Sequence, residues 1–410
     1  MLPKQLYHPR GPMHLPLIAA TLLFSAAPLA APVAAQELIL PTAEPTTGAT
    51  PTSSIGGYGE LHLSSTADGE GGREGEVDFH RFVLFFGHQY DENFRFYSEL
   101  ETEHALAGEG QPGELELEQA FIEYGGEALP FRVRAGLVLV PFGHLNTIHE
   151  PTAFHGVERP KVDSIIIPTT WREAGLGLVG TVGSTMGYEA YLISGLNAAE
   201  FTAGKGLRGG RTGVAEAYAG APAAVARLHA EPVMGLEVAL SGYYGDAGAN
   251  HPTKQVEVGV IGGAFDLRYK NHAIEARAEV AAFSLSGSEA LATPATPAIP
   301  ATATTPAIPA KAASVVGSLI TGGYLELGVD LLELAGRSQE LVPFVRYEQY
   351  DTTAEVADGL VDPETAGSDL VFGLTWRPIP QIAFKLDHIV RTAEAGSEEQ
   401  VTSAGLGYMF

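Results

Sequence analysis

Cysteine is absent from the 410-residue chain. Thiol catalysis, zinc–thiolate sites and disulfides are therefore excluded, and a sizeable sheet or core has to hold the fold together. Beyond its first 35 residues the chain also lacks an apolar run of the about 18 to 20 residues that a membrane-spanning helix requires. A helical membrane protein is therefore excluded, whereas membrane strands, in which polar and apolar residues alternate, are not.

Basic residues are scarce. The chain has 24 Lys and Arg against 49 Asp and Glu, which gives a formal net charge of −25. Such a surface repels the phosphates of nucleic acids and excludes them as partners, whereas it suits cations or simple solubility. Disorder does not explain the charge, because hydrophobic residues make up 45% of the chain.

The first residues have the pattern of an export signal. Lys4 and Arg10 precede the apolar stretch "LPLIAATLLFSAAPLAA" (15–31), which is followed by the small residues of "VAAQ". We expect residues 1–35 to be a secretory signal peptide, cut between Ala35 and Gln36. The Pro/Thr-rich residues 36–54 are expected to be a flexible lead-in.

Amphipathic strand patterns recur along the rest of the chain. In "NFRFYSELETE" (93–103), phenylalanines alternate with polar residues, and in "QIAFKLDHIV" (381–390) apolar residues alternate with Lys385 and Asp387. Alternation of period two places one set of side chains on each face of a strand. A two-sheet sandwich has the same period, so alternation alone does not identify the architecture.

The connections between the strands favour a barrel. Sixteen candidate strands can be marked, and the gaps between them alternate between long and short, from "TADGEGGREGE" and "DE" to "TTAEVADGLVDPETAG" and "IP". This alternation is typical of outer-membrane barrels, which have even strand numbers, short periplasmic turns and longer outer loops. We therefore predict an all-β fold, a transmembrane antiparallel β-barrel over residues 55–410. About 16 strands are expected, although 14 or 18 remain open.

A Pro-rich insert occupies residues 285–313, where "TPAIP" occurs at 296–300 and again at 305–309. Proline breaks the hydrogen-bond ladder of a strand, so the insert is expected in an outer loop. A spacer is favoured over a functional loop tip.

The chain ends in "SAGLGYMF", with Leu406, Tyr408 and Phe410 at every second position. The three side chains lie on one face of the last predicted strand and are expected to form a lipid-facing stripe. Aromatic residues anchor well at the membrane–water boundary.

Several stretches carry a family resemblance. "YGELHLSS" (58–65), "EQAFIEYGG" (118–126), "RVRAGLVLVPFGHLN" (132–146) and "WREAGLGLVG" (171–180) occur in that order, and the "GL…PFG" element runs from Gly136 to Gly143. Together they resemble the phosphate-selective porin O/P family of Gram-negative outer membranes. The resemblance implies a sixteen-stranded porin, commonly a homotrimer, whose third loop (here 141–170) folds inward. The last strand likewise resembles the signal read by the barrel assembly machinery.

The pore wall is expected to be polar and charged. The candidate lining residues are Arg95, Glu99, Glu101, Arg132, Arg134, Glu275, Arg277 and Arg346. The resemblance implies selection of anions by arginine and lysine, whereas the acidic excess argues against phosphate selectivity. Pairing of opposite charges across neighbouring strands is the alternative role for these side chains.

The predicted third loop is rich in histidine and basic residues. The constriction candidates are His144, His149, His155, Arg159 and Lys161. Imidazole and carboxylate groups bind zinc or copper, but the spacing here is not a known metal pattern. A pH-sensitive loop is favoured, and no metal or cofactor is predicted.

The sequence thus predicts a porin of the outer membrane through which small hydrophilic solutes or ions diffuse passively. Its other expected partner is the membrane lipid. The alternative is a non-conducting barrel that acts through its outer loops as an adhesin or a structural protein. An enzyme is not expected, since the chain has no GxSxG element.

Overall fold

A computed structural model describes residues 52–68, 73–126, 129–215, 217–248, 256–292, 315–357 and 364–410. The predicted signal peptide (1–35), most of the lead-in (36–54) and both "TPAIP" repeats lie outside the described residues.

Sixteen antiparallel strands close into one barrel. The first eight are β1 (Thr52–Asp68), β2 (Arg73–Gln89), β3 (Phe94–Glu103), β4 (Leu115–Tyr124), β5 (Phe131–Leu139), β6 (Arg172–Val182), β7 (Met186–Ser194) and β8 (Pro222–Val233). The others are β9 (Leu236–Asp246), β10 (Gly259–Asn271), β11 (Ile274–Ser286), β12 (Leu319–Val329), β13 (Glu340–Glu355), β14 (Ala366–Ile379), β15 (Ile382–Ala393) and β16 (Glu398–Met409). The predicted all-β barrel of sixteen strands is confirmed.

In the described part of the chain, helical structure is confined to short pieces between strands. They are a π-helical turn at Val162–Ile166, 3₁₀ turns at Ala198–Glu200, Arg208–Gly210 and Ser288–Leu291, and the helix α1 at Leu331–Leu334. Among the described residues, none of these helices has the length and apolar character required to cross a membrane.

The barrel closes where β1 pairs with β16 in an antiparallel register that runs from Tyr58↔Met409 to Asp68↔Glu399. Beyond the strand, the backbone N–H of Phe410 donates to the Gly57 carbonyl and the Gly57 N–H donates to the Phe410 carbonyl, both at 2.9 Å. The Phe410 ring stacks on Phe82 of β2, with ring centroids 5.9 Å apart.

The two faces of the wall are the reverse of those of a water-soluble protein. On β14 and β15, the outward side chains of Phe372, Trp376 and Leu386 are 39–52% exposed. On the inward face of β15, Lys385 and Asp387 are 6% and 2% exposed. An apolar band facing outward around a polar interior is the arrangement of a barrel surrounded by lipid.

The first long connection differs from the prediction. The sequence suggested that "TADGEGGREGE" is a loop, but β1 and β2 continue to pair up to Ala67↔Arg73, which leaves only 69–72 between the strands. Backbone pairing across a hairpin does not require apolar side chains, so the glycine- and glutamate-rich sequence did not reveal the strand ends.

Candidate functional site: the barrel interior

The connection between β5 and β6, residues 141–170, is called here the inner segment. Asn146 holds its two ends together: its side-chain N–H donates to the carbonyls of Val140 (2.7 Å) and Trp171 (2.9 Å), and its side-chain oxygen accepts from the Trp171 N–H (2.7 Å). This clamp gives both polar atoms of the buried Asn146 side chain a partner and joins residue 140 to residue 171.

Gly143 makes the turn by which the chain leaves the wall. Its φ is +74°, in the left-handed region that side chains with a Cβ rarely adopt. A Cβ at this position would also lie 2.5 Å from Cδ1 of Ile167 and within collision distance of the Glu279 carboxylate. Backbone conformation and space therefore both favour glycine at the end of the "GL…PFG" element.

The inner segment is bonded to strands far apart around the barrel. The contacts join Arg81 to the His149 carbonyl, Glu118 to the His149 ring, Arg377 to the Thr152 carbonyl, Arg277 to the Ala153 carbonyl, Glu275 to the His155 ring, Arg346 to the His155 carbonyl, Asp387 to the Val157 N–H and Glu348 to the Lys161 N–H. Because β2 and β4 lie across the ring from β11 and β13, the inner segment crosses the lumen.

An apolar contact fixes one side of the inner segment. Val162, Ile166 and Ile167, on and after the π-helical turn, are at most 1% exposed and belong to one buried cluster with Phe283 of β11 and Ile320 of β12. Burial of an aliphatic side chain of this size contributes about 1.5–3 kcal/mol. The inner segment is thus seated by hydrophobic packing as well as by hydrogen bonds.

Three of the predicted lining arginines converge on one carboxylate. Arg95, Arg132 and Arg134 lie 3.6, 3.3 and 2.8 Å from the carboxylate oxygens of Glu123. The side chains of Arg95 and Arg132 are each 33% exposed, whereas Arg134 also stacks over the Phe121 ring. Opposite charges pair here across strands, and a net positive charge remains at this part of the wall.

The other predicted lining residues face the interior but lie under the inner segment. Glu99, Glu101, Glu275 and Arg346 are all less than 5% exposed. Arg346 is bonded to Glu326 and Glu348 as well as to the inner segment. Arg277 is half-buried. Glu275, Arg277 and Arg346 are hydrogen-bonded to the inner segment, and Glu99 lies 3.9 Å from the His149 ring. Glu101 lies instead 3.9 Å from Arg81 on the wall. The sequence did not show that most of these side chains are buried.

The five predicted residues of the third loop divide into two groups. His144, His149 and His155 are buried, whereas Arg159 and Lys161 are half-exposed. Burial, and then the nearby Arg268, lower the pKa of His144 well below its usual value. Burial also lowers the pKa of Lys161. The interior therefore holds His144 neutral, and the water-exposed charge of the inner segment comes from its later residues.

The structure contains a basic cavity that the sequence analysis did not predict. It has a volume of about 430 Å³ and is lined by Arg172, Lys205, Arg208 and Arg211 with Glu116, and Glu116 lies 2.6 Å from Arg172. Burial, and then Arg208, lower the pKa of Arg211 to about 10. The basic residues at 205, 208 and 211, spaced by three, were a visible signal, but only the fold places them beside Arg172.

Comparison by sequence identifies a relative of the chain but no family model. No family model matches the chain. An uncharacterized protein of Aquifex aeolicus is 30% identical over 369 residues, which cover 87% of this chain and 80% of that protein.

Solved structures with a similar fold include three outer-membrane proteins. OmpF of Salmonella typhi has a TM-score of 0.56 and 12% identity, over 87% of this chain and 97% of that one. The channel DcaP of Acinetobacter baumannii has a TM-score of 0.53 and 11% identity, over 90% of this chain and 100% of that one. An anion-selective porin from Comamonas acidovorans has a TM-score of 0.53 and 9% identity, over 88% of this chain and 100% of that one. At these identities the similarity shows a shared fold.

Proposed function

The chain belongs to the same family as the uncharacterized Aquifex aeolicus protein, and we propose that it is an outer-membrane porin. In this proposal small hydrophilic solutes and ions diffuse through the barrel down their gradients, with no covalent step and no cofactor. The observation that carries it is the reversed wall, apolar outside and charged inside, around a lumen crossed by a hydrogen-bonded segment. This is the construction that a water-filled passage through lipid requires.

The inner segment is proposed to set the width of the passage. It is held to the wall on several sides, so its exposed edge fixes what space remains. Glu158, Arg159 and Lys161 lie on that edge, and the Glu158 side chain is 56% exposed. Charges at the narrowest point of a pore decide which ions enter it.

A preference for anions, phosphate among them, is the finer part of the proposal. Its support is the basic cavity formed by Arg172, Lys205, Arg208 and Arg211. Burial, and then the charge of Arg208, lower the pKa of Arg211 to about 10. An anion between the four cations offsets their mutual repulsion. The overall charge of −25 opposes this preference at longer range.

The remaining parts of the proposal concern delivery and assembly. Residues 1–35 are proposed to direct export. The stripe of Leu406, Tyr408 and Phe410 is proposed to be read by the barrel assembly machinery. A homotrimer is proposed from the family resemblance of the sequence.

Reversal potential across a planar bilayer, measured with the folded protein under a salt gradient, tests the function. A conducting, anion-selective channel supports the whole proposal. A cation-selective channel would support the porin function and contradict the anion preference. Well-folded protein without conductance rejects the porin and favours the adhesin or structural barrel.

A further inference from the structure

Two histidines of the wall form a cluster with Glu158 of the inner segment. His62 of β1, His80 of β2 and Glu158 each present one potential ligand atom, and these atoms all lie within 4.8 Å of one another. His62 Nδ1 lies 3.0 Å from Glu158 Oε1. The His62 and His80 rings are nearly parallel, with centroids 4.5 Å apart.

A β-bulge brings His80 to this position. The register of β1 and β2 passes from Glu60↔Arg81 to His62↔Asp78, so one residue on β1 opposes two on β2. Strict alternation places positions 80 and 81 on opposite faces, but the bulge turns both towards the interior. Bulges re-aim side chains in this way and are frequent beside functional sites.

Both histidines are already oriented by a wall carboxylate on one ring nitrogen. His62 Nε2 lies 3.0 Å from Glu60 Oε2, and Arg81 in turn donates to Glu60 at 2.7 Å. His80 Nδ1 lies 3.1 Å from Asp78 Oδ2. A carboxylate on the far nitrogen fixes the tautomer and the ring of metal-binding histidines and raises their basicity.

The carboxylate behind His80 is itself held by a third histidine. His104 Nδ1 lies 2.8 Å from Asp78 Oδ1. His104 reaches it from a left-handed backbone conformation with φ of +51°, which is uncommon for residues other than glycine. The chain thus adopts an unfavourable turn at the place where it supports Asp78.

From this arrangement we propose that His62, His80 and Glu158 bind a divalent transition-metal ion, for which Zn²⁺ is the best-matched probe. Two imidazole nitrogens and one carboxylate oxygen are ligands that zinc and copper accept, with a fourth position open to water. Ligand atoms on a tetrahedral zinc with bonds of about 2.0–2.1 Å lie about 3.3 Å apart. The 3.0 Å between His62 and Glu158 is close to that separation.

The ligands come from two separate parts of the fold. His62 and His80 belong to the wall, whereas Glu158 belongs to the inner segment and its side chain is 56% exposed. A bound ion therefore fastens the exposed edge of the inner segment to β1 and β2. The site does not depend on the proposed function, because metal binding is measurable whether or not the barrel conducts.

Isothermal titration calorimetry of the folded full chain in detergent, carrying no polyhistidine tag, tests the proposal with Zn²⁺ and with Ca²⁺. We expect one Zn²⁺ per chain and no comparable binding of Ca²⁺, which prefers six to eight oxygen ligands. His62→Ala and His80→Gln are expected to abolish the site. Asp78→Asn is expected to weaken binding about 10- to 100-fold.

Two further variants complete the test. Glu158→Gln is expected to weaken Zn²⁺ binding and leaves both wall histidines in place. His388→Ala is the matched control, because His388 lies on β15 with its ring bonded to Thr402, and it should leave the affinity unchanged. Heat-dependent mobility in SDS gels verifies that each variant is folded.

Four results would overturn the proposal. They are no Zn²⁺ binding by folded wild type, unchanged affinity in both His62→Ala and His80→Gln, equal affinity for Ca²⁺, or unchanged affinity in Glu158→Gln. Loss of binding in His104→Ala with full binding in His62→Ala would assign the ion instead to Asp78, His80 and His104, a group whose ligand atoms also lie within 4.8 Å of one another.

Discussion

The carboxylate of Asp387 accepts a hydrogen bond of 2.6 Å from the backbone N–H of Val157. Asp387 belongs to β15 and Val157 to the inner segment, and they are 2% and 1% exposed. A buried N–H that loses its acceptor carries an unfavourable free energy of about 1–3 kcal/mol. This bond therefore links the position of the inner segment to a single wall side chain.

Asp387→Ala is expected to loosen the inner segment without unfolding the barrel, because the strand pairs of β15 remain. Single-channel recordings should show larger fluctuations of conductance than the wild type. Asp91→Ala is the matched control, since Asp91 accepts from the N–H groups of Asn93 and Phe94 in the turn between β2 and β3. Equal noise in the two variants would contradict the prediction.

Gly143→Ala is expected to displace the start of the inner segment, because the new Cβ meets Ile167 and Glu279 and the backbone has φ of +74°. We expect a changed mean conductance from a folded barrel. Gly183→Ala shares the strain of a positive φ (+68°), but no described atom lies within 4 Å of its Cβ, so it should conduct as wild type. Wild-type conductance of Gly143→Ala would show that the turn tolerates a side chain.

The buried His144 is expected to make the stability of the folded protein depend on pH. Burial and the charges of Arg268, Arg227 and Arg277 lower the pKa of its ring below the usual 6.5, while its backbone N–H donates to the Glu279 carboxylate. The unfolded chain therefore binds more protons than the folded one below pH 6.5, and stability falls as the pH decreases from 7 to 5.

His144→Gln should flatten this slope, measured as the temperature at which the folded band disappears from SDS gels at each pH. His88→Gln is the control, because His88 is only half-buried and its ring is hydrogen-bonded to Ser53. If His144→Gln keeps the full slope of the wild type, other groups cause the acid sensitivity.

Arg159 and Lys161 are expected to contribute to ion preference because they are the half-exposed cations of the inner segment. The double variant Arg159→Gln, Lys161→Gln should shift the reversal potential towards cation selectivity. Arg337→Gln removes an exposed charge in the turn between β12 and β13 and should not shift it. A reversal potential that does not change in the double variant would place the selective charges elsewhere.

Phe410→Ala is expected to reduce the amount of assembled barrel, since the ring stacks on Phe82 beside the closing pair of strands. The folded fraction in outer-membrane extracts measures the effect. Phe372→Ala removes a similarly exposed phenylalanine from the outer face of β14 and should have the smaller effect. An equal loss of folded protein in both variants would show that Phe410 contributes only the lipid contact of any exposed phenylalanine.

Local pattern was sufficient to predict the wall. The alternation in β3 and β15 is a property of neighbouring residues, and the sixteen candidate strands were marked from patterns of this kind. The interior was less predictable, because the inner segment buries Glu99, Glu275 and Arg346 through contacts with residues distant in the chain. The bulge at His80 was also hidden, since an inserted residue reverses the alternation without changing the composition of the strand.

The clamp and wall contacts of the inner segment also have a mechanical consequence. A hollow cylinder flattens under sideways pressure because its cross-section changes shape without stretching the wall. A cross-piece bonded on one side to Arg81 of β2 and on the opposite side to Glu275 of β11 resists that change as a brace does. We therefore expect the bore of this barrel to change less under sideways pressure than that of a barrel with no segment across its lumen.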